Sequence, residues 1–179
     1  LNGAMQETGD FAIVRGETKN SGEVLFGFCT DRYQPLQPRT VAEVYDNWLG
    51  LPVETMGFLG NGNDMFISWQ MPTFEVVSGD EMQLYGIVRT GFDTLKGTSL
   101  FTSTYRPVCQ NTINLAEGWA KNNTDGAGKG NIWKGKGVNK NLARDLGYWM
   151  KFVRENSEKE ANLVKNFFSL LAKKPVKND

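Results

Sequence analysis

Lysines and glycines alternate near the end of the chain, and this pattern suits contact with phosphate groups. Residues 126–144 include five cationic residues and no acidic one, with Trp133 inside the run. Glycine lets backbone N–H groups approach a phosphate, lysine supplies the opposite charge, and tryptophan can stack on an unpaired base. The run lacks the G-x-x-x-x-G-K-[ST] pattern of a nucleotide-binding P-loop. It is therefore either a nucleic-acid contact or a solvated loop, and its candidate cations are Lys129, Lys134, Lys136, Lys140 and Arg144.

A second group of candidates lies earlier in the chain, where arginine is scarce. Arg89 and Arg106 lie on strands that are consecutive in the predicted order, so they can share a face, although salt bridges to nearby acids are the competing explanation. Arg32 adjoins Tyr33, whose ring either stacks on a base or covers the core. Asn111 lies where a predicted strand meets a predicted helix. The N–H groups of such a corner suit an anion, and an ordinary polar junction is the alternative.

The residue types exclude several classes of enzyme. The chain has no histidine, so Ser-His and Cys-His nucleophile systems are absent. Its two cysteines, Cys29 and Cys109, form no Cys-x-x-Cys pair, which argues against a zinc site, and Cys109 is predicted to be a buried apolar residue. Paired carboxylates such as Asp80 and Glu81 have the spacing of turns. We therefore predict no catalytic residue, no metal and no cofactor.

Opposite charges separate along the chain, although the net charge is zero. Residues 1–120 contain 7 Lys and Arg against 14 Asp and Glu, whereas residues 121–179 contain 13 against 6. The basic C-terminal third predicts a surface for a polyanion, or for the acidic part of a neighbouring subunit. No apolar run reaches the length of about 18 residues that a membrane helix needs, and the first residues lack the pattern of a secretory signal. We therefore expect a cytoplasmic protein that does not contact membranes.

Hydrophobic periodicity predicts an α+β fold. Its core is a β-hairpin, a helix, an antiparallel β-meander and a second helix, written β-β-α-β-β-β-α, followed by a basic C-terminal helical extension. Residues 1–121 form this core, residues 122–141 a basic Gly/Lys-rich loop, and residues 142–179 a helical region that packs on the core or on a neighbouring subunit. The predicted strands are 11–14, 23–29, 55–59, 65–71, 83–92 and 100–108. The first two helices are predicted to begin at Thr40 and at Asn111 or Thr112, and the region 142–172 is predicted as helical with a break near residue 156.

Two short motifs resemble a known family. Residues 31–38 read DRYQPLQP and residues 106–114 read RPVCQNTIN. Both are similar to segments of the phage/plasmid-like protein family, a domain of unknown function from phages, prophages and plasmids, over roughly residues 9–120. The resemblance implies that the protein acts in the cytoplasm of a bacterial host cell. That family commonly has histidines before its central strand and in its next basic segment, and this chain has neither. The predicted element order is also similar to that of phage single-strand annealing proteins of the RecT, Redβ and Erf kind.

These observations lead to one main hypothesis. The protein is a non-catalytic, phage- or plasmid-type single-stranded DNA-binding protein that anneals complementary strands, binds the phosphate backbone without sequence specificity, and assembles into rings or filaments. The alternative is a phage or plasmid interaction protein that binds a host protein, for example to counter a defence system, without binding DNA. A metal-dependent enzyme acting on nucleic acid is a third class, which the lack of histidine disfavours.

Overall fold

Groups of strands and groups of helices follow one another along the chain. This computed structural model describes residues 9–17, 19, 22–122, 132–137 and 140–173. The strands are β1 (Phe11–Arg15), β2 (Val24–Cys29), β3 (Thr55–Leu59), β4 (Asp64–Val77), β5 (Asp80–Gly91), β6 (Thr98–Ser103) and β7 (Ile132–Gly135). The helices are α1 (Pro38–Trp48), α2 (Gln110–Asn122), α3 (Leu142–Glu155) and α4 (Ser157–Ala172). Strands β3 to β7 form one antiparallel sheet in that order, and β1 and β2 form a separate ribbon. The predicted α+β class is confirmed.

Tight turns explain why the first strands of the sheet pair with their neighbours in sequence. Gly60 and Gly62, between β3 and β4, have φ values of 58° and 88°. Gly79, between β4 and β5, has a φ of 85°. Glycine adopts such backbone angles without the clash that a Cβ atom would cause. The hairpin predicted from the strands 55–59 and 65–71 is confirmed, since Thr55 pairs with Ser68 and Leu59 with Asp64.

Alternating side chains give the five-stranded sheet two buried faces. The three-helix face carries Ile67, Trp69, Val88 and Leu100, which pack in one apolar cluster with residues of α1, α3 and α4. The opposite side, the α2 face, carries Phe66, Ile87 and Phe101 and packs against Ile113, Ala116 and Ala120 of α2. The sheet is therefore the middle of three layers.

The β1–β2 ribbon attaches to the edge of this layered core. The Arg15 side chain donates from Nη1 to the backbone oxygen of Asn61, in the β3–β4 turn, at 2.7 Å. Val14, Leu25 and Phe28 of the ribbon are exposed. Part of the turn predicted between these strands, residues 18, 20 and 21, lies outside the described residues. The ribbon thus presents apolar side chains that the described part of the chain leaves uncovered.

The strand count differs from the sequence prediction in two places. The written order β-β-α-β-β-β-α has one strand too few, because all four segments predicted between the two helices form strands, β3 to β6. Strand β6 ends at Ser103 rather than at residue 108. The Ser103 hydroxyl accepts a hydrogen bond from the Tyr105 N–H at 3.0 Å, which forms a local turn in place of the ladder, and the Pro107 carbonyl accepts one from Thr55 Oγ1 at 2.6 Å. The segment 122–141, predicted as a loop, contributes β7, which extends the sheet by pairing with β6.

Helix ends were predicted with mixed success. Helix α1 begins at Pro38 and has no side-chain cap, so the predicted cap at Thr40 is wrong. Proline suits the first turn because its missing N–H would have no helical partner there. The predicted break near residue 156 is confirmed: α3 ends at Glu155, and Asn156 Nδ2 donates to the Phe152 carbonyl at 2.9 Å.

Candidate functional site

A polar groove of about 570 Å³ runs beside α2, on the α2 face of the sheet. Helix α2 forms one wall, and β7 with the loop after β5 forms the other. Five cationic side chains line it, and we call it the lysine groove. They are Arg89, Lys96, Lys121, Lys134 and Lys136.

Regular spacing places four polar side chains of α2 along this groove. Gln110, Asn114, Glu117 and Lys121 recur at intervals of four, three and four residues, so they lie on one side of the helix. Their apolar counterparts Ile113, Ala116 and Ala120 pack against the sheet. At a rise of 1.5 Å per residue, this polar stripe extends for roughly 16 Å. The groove is therefore long enough to follow an extended ligand rather than a single ion.

Arg89 forms the floor of the groove and is almost completely buried, with 5% of its surface exposed. Its Nε donates to Asp64 Oδ2 at 2.9 Å, and its Nη1 donates to Glu117 Oε2 at 2.8 Å and to Asn114 Oδ1 at 3.1 Å. Asp64 is 1% exposed. Burial alone would lower the pKa of Arg89, but its bonds to Asp64 and then to Glu117 outweigh burial and raise that pKa. The guanidinium thus holds two strands and α2 together.

Two lysines at the rim are paired with these acids. Lys96 Nζ lies 3.0 Å from Asp64 Oδ2, and Lys121 Nζ lies 2.9 Å from Glu117 Oε1. Both lysine side chains remain about half exposed. Burial would raise the pKa of Glu117, but Lys121 and Arg89 together lower it below its ordinary value. The Glu117 carboxylate therefore stays ionised near neutral pH, and the five cations of the groove outnumber the acids that pair with them.

Lys134 and Lys136 supply the uncompensated charge of the groove. Both are exposed, and neither forms an ion pair with any other residue in the described ranges. Lys134 projects from β7 on the α2 face, since its register partner in β6 is Ser99. Lys136 follows at the end of that strand. A cation without a protein partner is available to an anionic ligand.

Two further candidates lie next to this end of β7. The ring of Tyr33 contacts the backbone at Gly137, and the Gln34 N–H donates to the Gly137 carbonyl at 2.9 Å. Burial raises the pKa of Tyr33, and a hydrogen bond from the Thr94 backbone opposes that rise. Arg32, the residue before Tyr33, is exposed. The structure thus brings the segment around Tyr33 to the lysine run, from more than 90 residues away in sequence.

The remaining candidates lie elsewhere. Lys140 is exposed before α3, and Arg144, on α3, lies 3.8 Å from Asp145 through Nε and Oδ1. Arg106 pairs with Glu54 at 2.6 Å between Nη2 and Oε1, and does not share a face with the buried Arg89. Trp133 lies on the three-helix face of β7, opposite to Lys134. Lys129 lies outside the described residues.

The corner before α2 differs from the prediction. Helix α2 begins at Gln110, and the Ile113 N–H donates to the Cys109 carbonyl, so neither Asn111 nor Thr112 is its cap. The Thr112 hydroxyl instead accepts from the N–H groups of Val108 and Cys109, at 2.9 and 3.0 Å. The Cys109 thiol is exposed rather than buried. Hydrogen bonds from the Thr112 backbone and hydroxyl and from the Asn111 backbone lower its pKa.

Sequence reasoning missed Lys96 and, of the four polar residues of α2 in the groove, Asn114, Glu117 and Lys121. The spacing of the four α2 residues could have indicated their position, because they form a polar stripe at helical spacing beside the apolar stripe of the same helix. Lys96 carries no such signal, since a lysine in a Gly-containing loop is expected to be solvated. Among the residues that the structure describes, no three His, Cys, Asp or Glu side chains are grouped so that they could hold a metal ion.

The matched family covers most of the sheet. A family model described as a domain of unknown function (DUF932) matches residues 26–127, more than half of the chain. The chain belongs to this family. The DUF932 match includes α1, α2 and strands β3 to β6, but β7 with Trp133, Lys134 and Lys136 lies beyond it. No curated protein and no solved structure is a significant match for the chain. None of the helices in the described ranges is both long and apolar enough to cross a membrane.

Proposed function

We propose that this DUF932 protein binds single-stranded DNA, with the phosphate backbone held in the lysine groove. The observation that carries the proposal is the convergence of Lys96, Lys121, Lys134 and Lys136 from three separate segments on one elongated groove. Two of these lysines have no acidic partner in the described part of the chain. Contacts of this kind recognise phosphates and not base edges, so binding is without sequence specificity.

The lining of the groove also contains polar side chains besides the lysines. Gln110, Asn114 and Ser99 lie among the lysines and supply hydrogen-bond donors for phosphate oxygens. The buried Arg89 stays with its own acids and serves to fix α2 against the sheet, so it is not a ligand contact. The proposal thus drops Arg89 from the candidate phosphate contacts and adds Lys96 and Lys121.

Annealing and assembly extend this proposal. The resemblance of residues 31–38 and 106–114 to the phage/plasmid-like family supports a phage or plasmid origin. Strand annealing stays a prediction from the sequence, because the observed order has four strands between α1 and α2 where the order compared with annealing proteins has three. Opposite charges of the two parts of the chain, together with exposed apolar side chains on the ribbon and on α4, support head-to-tail assembly into rings or filaments. On α4 these are Leu163, Phe167, Leu170 and Leu171.

The same exposed apolar side chains favour a second candidate, binding to a host protein. Phe28 of the ribbon and Met56 and Phe58 of the edge strand β3 are each more than half exposed. Apolar side chains grouped on a surface are typical of protein interfaces. This candidate predicts no affinity for DNA at physiological salt.

Fluorescence anisotropy of a labelled oligonucleotide tests the main proposal. The intact protein is titrated with single- and double-stranded DNA at several salt concentrations, beside Lys134→Ala/Lys136→Ala. Each phosphate contact contributes about 0.7 to the slope of log K against log salt for a single strand. Loss of two contacts should lower that slope by about 1.4 and weaken binding on the order of 25-fold at about 0.1 M salt.

The matched control removes two lysines far from the groove. Lys159 and Lys165 are exposed on α4, so Lys159→Ala/Lys165→Ala makes the same change in net charge. The control should bind as the unaltered protein does. Equal losses in both variants would mean that net charge, and not the groove, attracts DNA. No binding by the unaltered protein at low salt would refute the proposal and favour the host-protein candidate.

A further inference from the structure

An aromatic cleft of about 510 Å³ lies on the other side of β7, between the sheet edge and α3. Trp133 of β7 faces Trp149 of α3, with ring centroids 6.4 Å apart and ring planes at 32°. Trp149 also meets Phe152 edge-on, with centroids 5.5 Å apart. Trp149 and Phe152 are 41% and 50% exposed. Three rings thus line one opening and keep free surface for a further planar group.

A buried hydroxyl in the same cleft lacks a partner. Thr102 is 3% exposed, and its Oγ1 makes no hydrogen bond to any residue the structure describes. Thr102 lies two residues after Leu100 on β6, so both side chains lie on the three-helix face beside Trp133. A buried hydroxyl without a partner is unfavourable, and a ligand that carries a polar atom relieves this. The cleft therefore suits a ring with polar edges better than a purely apolar group.

The edge strand β7 joins this cleft to the lysine groove. Lys134 lines both cavities, and its neighbour Trp133 projects to the opposite face of the same strand. In the described part of the sheet β7 is the last strand, so a bound chain can pass over it. One cation and one acid, Lys134 and Glu160, line the cleft, whereas five cations and one acid line the groove. Charge thus separates the two cavities: anionic groups suit the groove, and a neutral planar group suits the cleft.

We infer that the aromatic cleft takes up an unpaired base of the DNA strand whose phosphates occupy the lysine groove. This inference rests on the proposed function. It explains the preference of the protein for single-stranded DNA by the binding of a base in the cleft. A base-paired strand cannot place a base there, because its bases are stacked inside the duplex. Aromatic stacking accepts every base, so the cleft adds affinity without sequence specificity.

Strands with and without bases provide the test. Anisotropy and quenching of tryptophan fluorescence are measured with an oligothymidine and with an abasic strand of the same length and charge. The unaltered protein should bind the oligothymidine roughly 5- to 150-fold more tightly, the range for one stacked base. Phe152→Ala and Trp149→Ala should reduce this ratio towards one, while the affinity for the abasic strand and the salt slope stay unchanged.

Two further variants keep the result interpretable. Tyr148→Ala removes another exposed ring of α3 that does not line the cleft, and it should leave the ratio unchanged. Thr102→Val removes the unpartnered hydroxyl with little change of shape, so folding should be preserved while the ratio falls. Equal binding of both strands by the unaltered protein would overturn the inference and leave the proposed function intact. Binding of neither strand would overturn both.

Discussion

Replacing the buried Arg89 by methionine should strongly destabilise the protein. Methionine keeps much of the length of the side chain but none of its donors. Asp64 would lose two donated hydrogen bonds, and Glu117 and Asn114 would lose one each. Removing one member of a buried ion pair costs about 3–5 kcal/mol, because the partner stays buried without compensation.

The neighbours of Arg89 narrow this range. Lys96 would remain 3.0 Å from Asp64, and Lys121 would remain 2.9 Å from Glu117, so neither carboxylate becomes fully unpaired. We therefore expect a loss near the lower limit, about 3 kcal/mol in the free energy of unfolding. For a chain of this size, that corresponds to a decrease of about 6–12 °C in the melting temperature.

Urea unfolding followed by circular dichroism measures this loss. Arg39→Ala is the control, because Arg39 pairs with Glu43 on the exposed side of α1 and should contribute no more than about 0.5 kcal/mol. The double variant Arg89→Met/Asp64→Asn should lose less free energy of unfolding than the sum of the two single variants, because it also removes the buried Asp64 carboxylate that Arg89 compensates. A loss below about 1 kcal/mol, or strictly additive losses, would refute the assignment of Arg89 as a structural centre of the groove.

Three other predictions concern single residues. The pKa of Glu117 is lowered in the folded protein, so its ionised carboxylate stabilises the fold above the unfolded pKa of about 4.3. This contribution is lost as the pH falls through the folded pKa. In Glu117→Gln the free energy of unfolding should therefore depend less on pH over that range. Alkylation of the exposed Cys109 by iodoacetamide should have a pH midpoint below that of an ordinary cysteine, and a midpoint at or above about 8.5 would contradict this. Gly86→Ala should cost about 1–3 kcal/mol in urea unfolding, because the new methyl group would overlap the buried Trp69 ring, whereas Gly16→Ala, with open space, should cost far less.

The sheet could be predicted from sequence wherever local patterns decide its structure. The alternation in residues 65–71 and the glycines at 60 and 62 are sufficient to define a hairpin, because turn geometry and the buried face require the same register. Strand β7 could not be found this way. It has four residues, and glycine and lysine flank it, so its strand character comes from pairing with β6 and not from its own sequence.

The candidate site likewise contains residues that the local sequence predicts and residues that only the fold brings together. Lys134 and Lys136 were found because they belong to a conspicuous basic run. The burial of Arg89 could not be predicted, since its partners Asp64 and Glu117 are 25 and 28 residues away in opposite directions. Which of many acids meets a given arginine depends on strand order and helix placement, and neither is encoded locally. The aromatic cleft likewise combines rings from β7 and α3, whose contact exists only in the folded chain.

The order in which the sheet assembles has a consequence for both cavities. Strands β3 to β6 pair with neighbours in sequence, so these contacts close short loops, whereas β7 joins β6 only after α2 intervenes. A short strand at the end of a sheet is also among the first parts of a native protein to open and close by local unfolding. Because Lys134 and Trp133 are consecutive residues of β7, one local opening would dismantle the groove and the cleft together while the central layers stay folded. Occupation of either cavity would in turn favour the closed strand, so the two cavities are thermodynamically coupled through four residues.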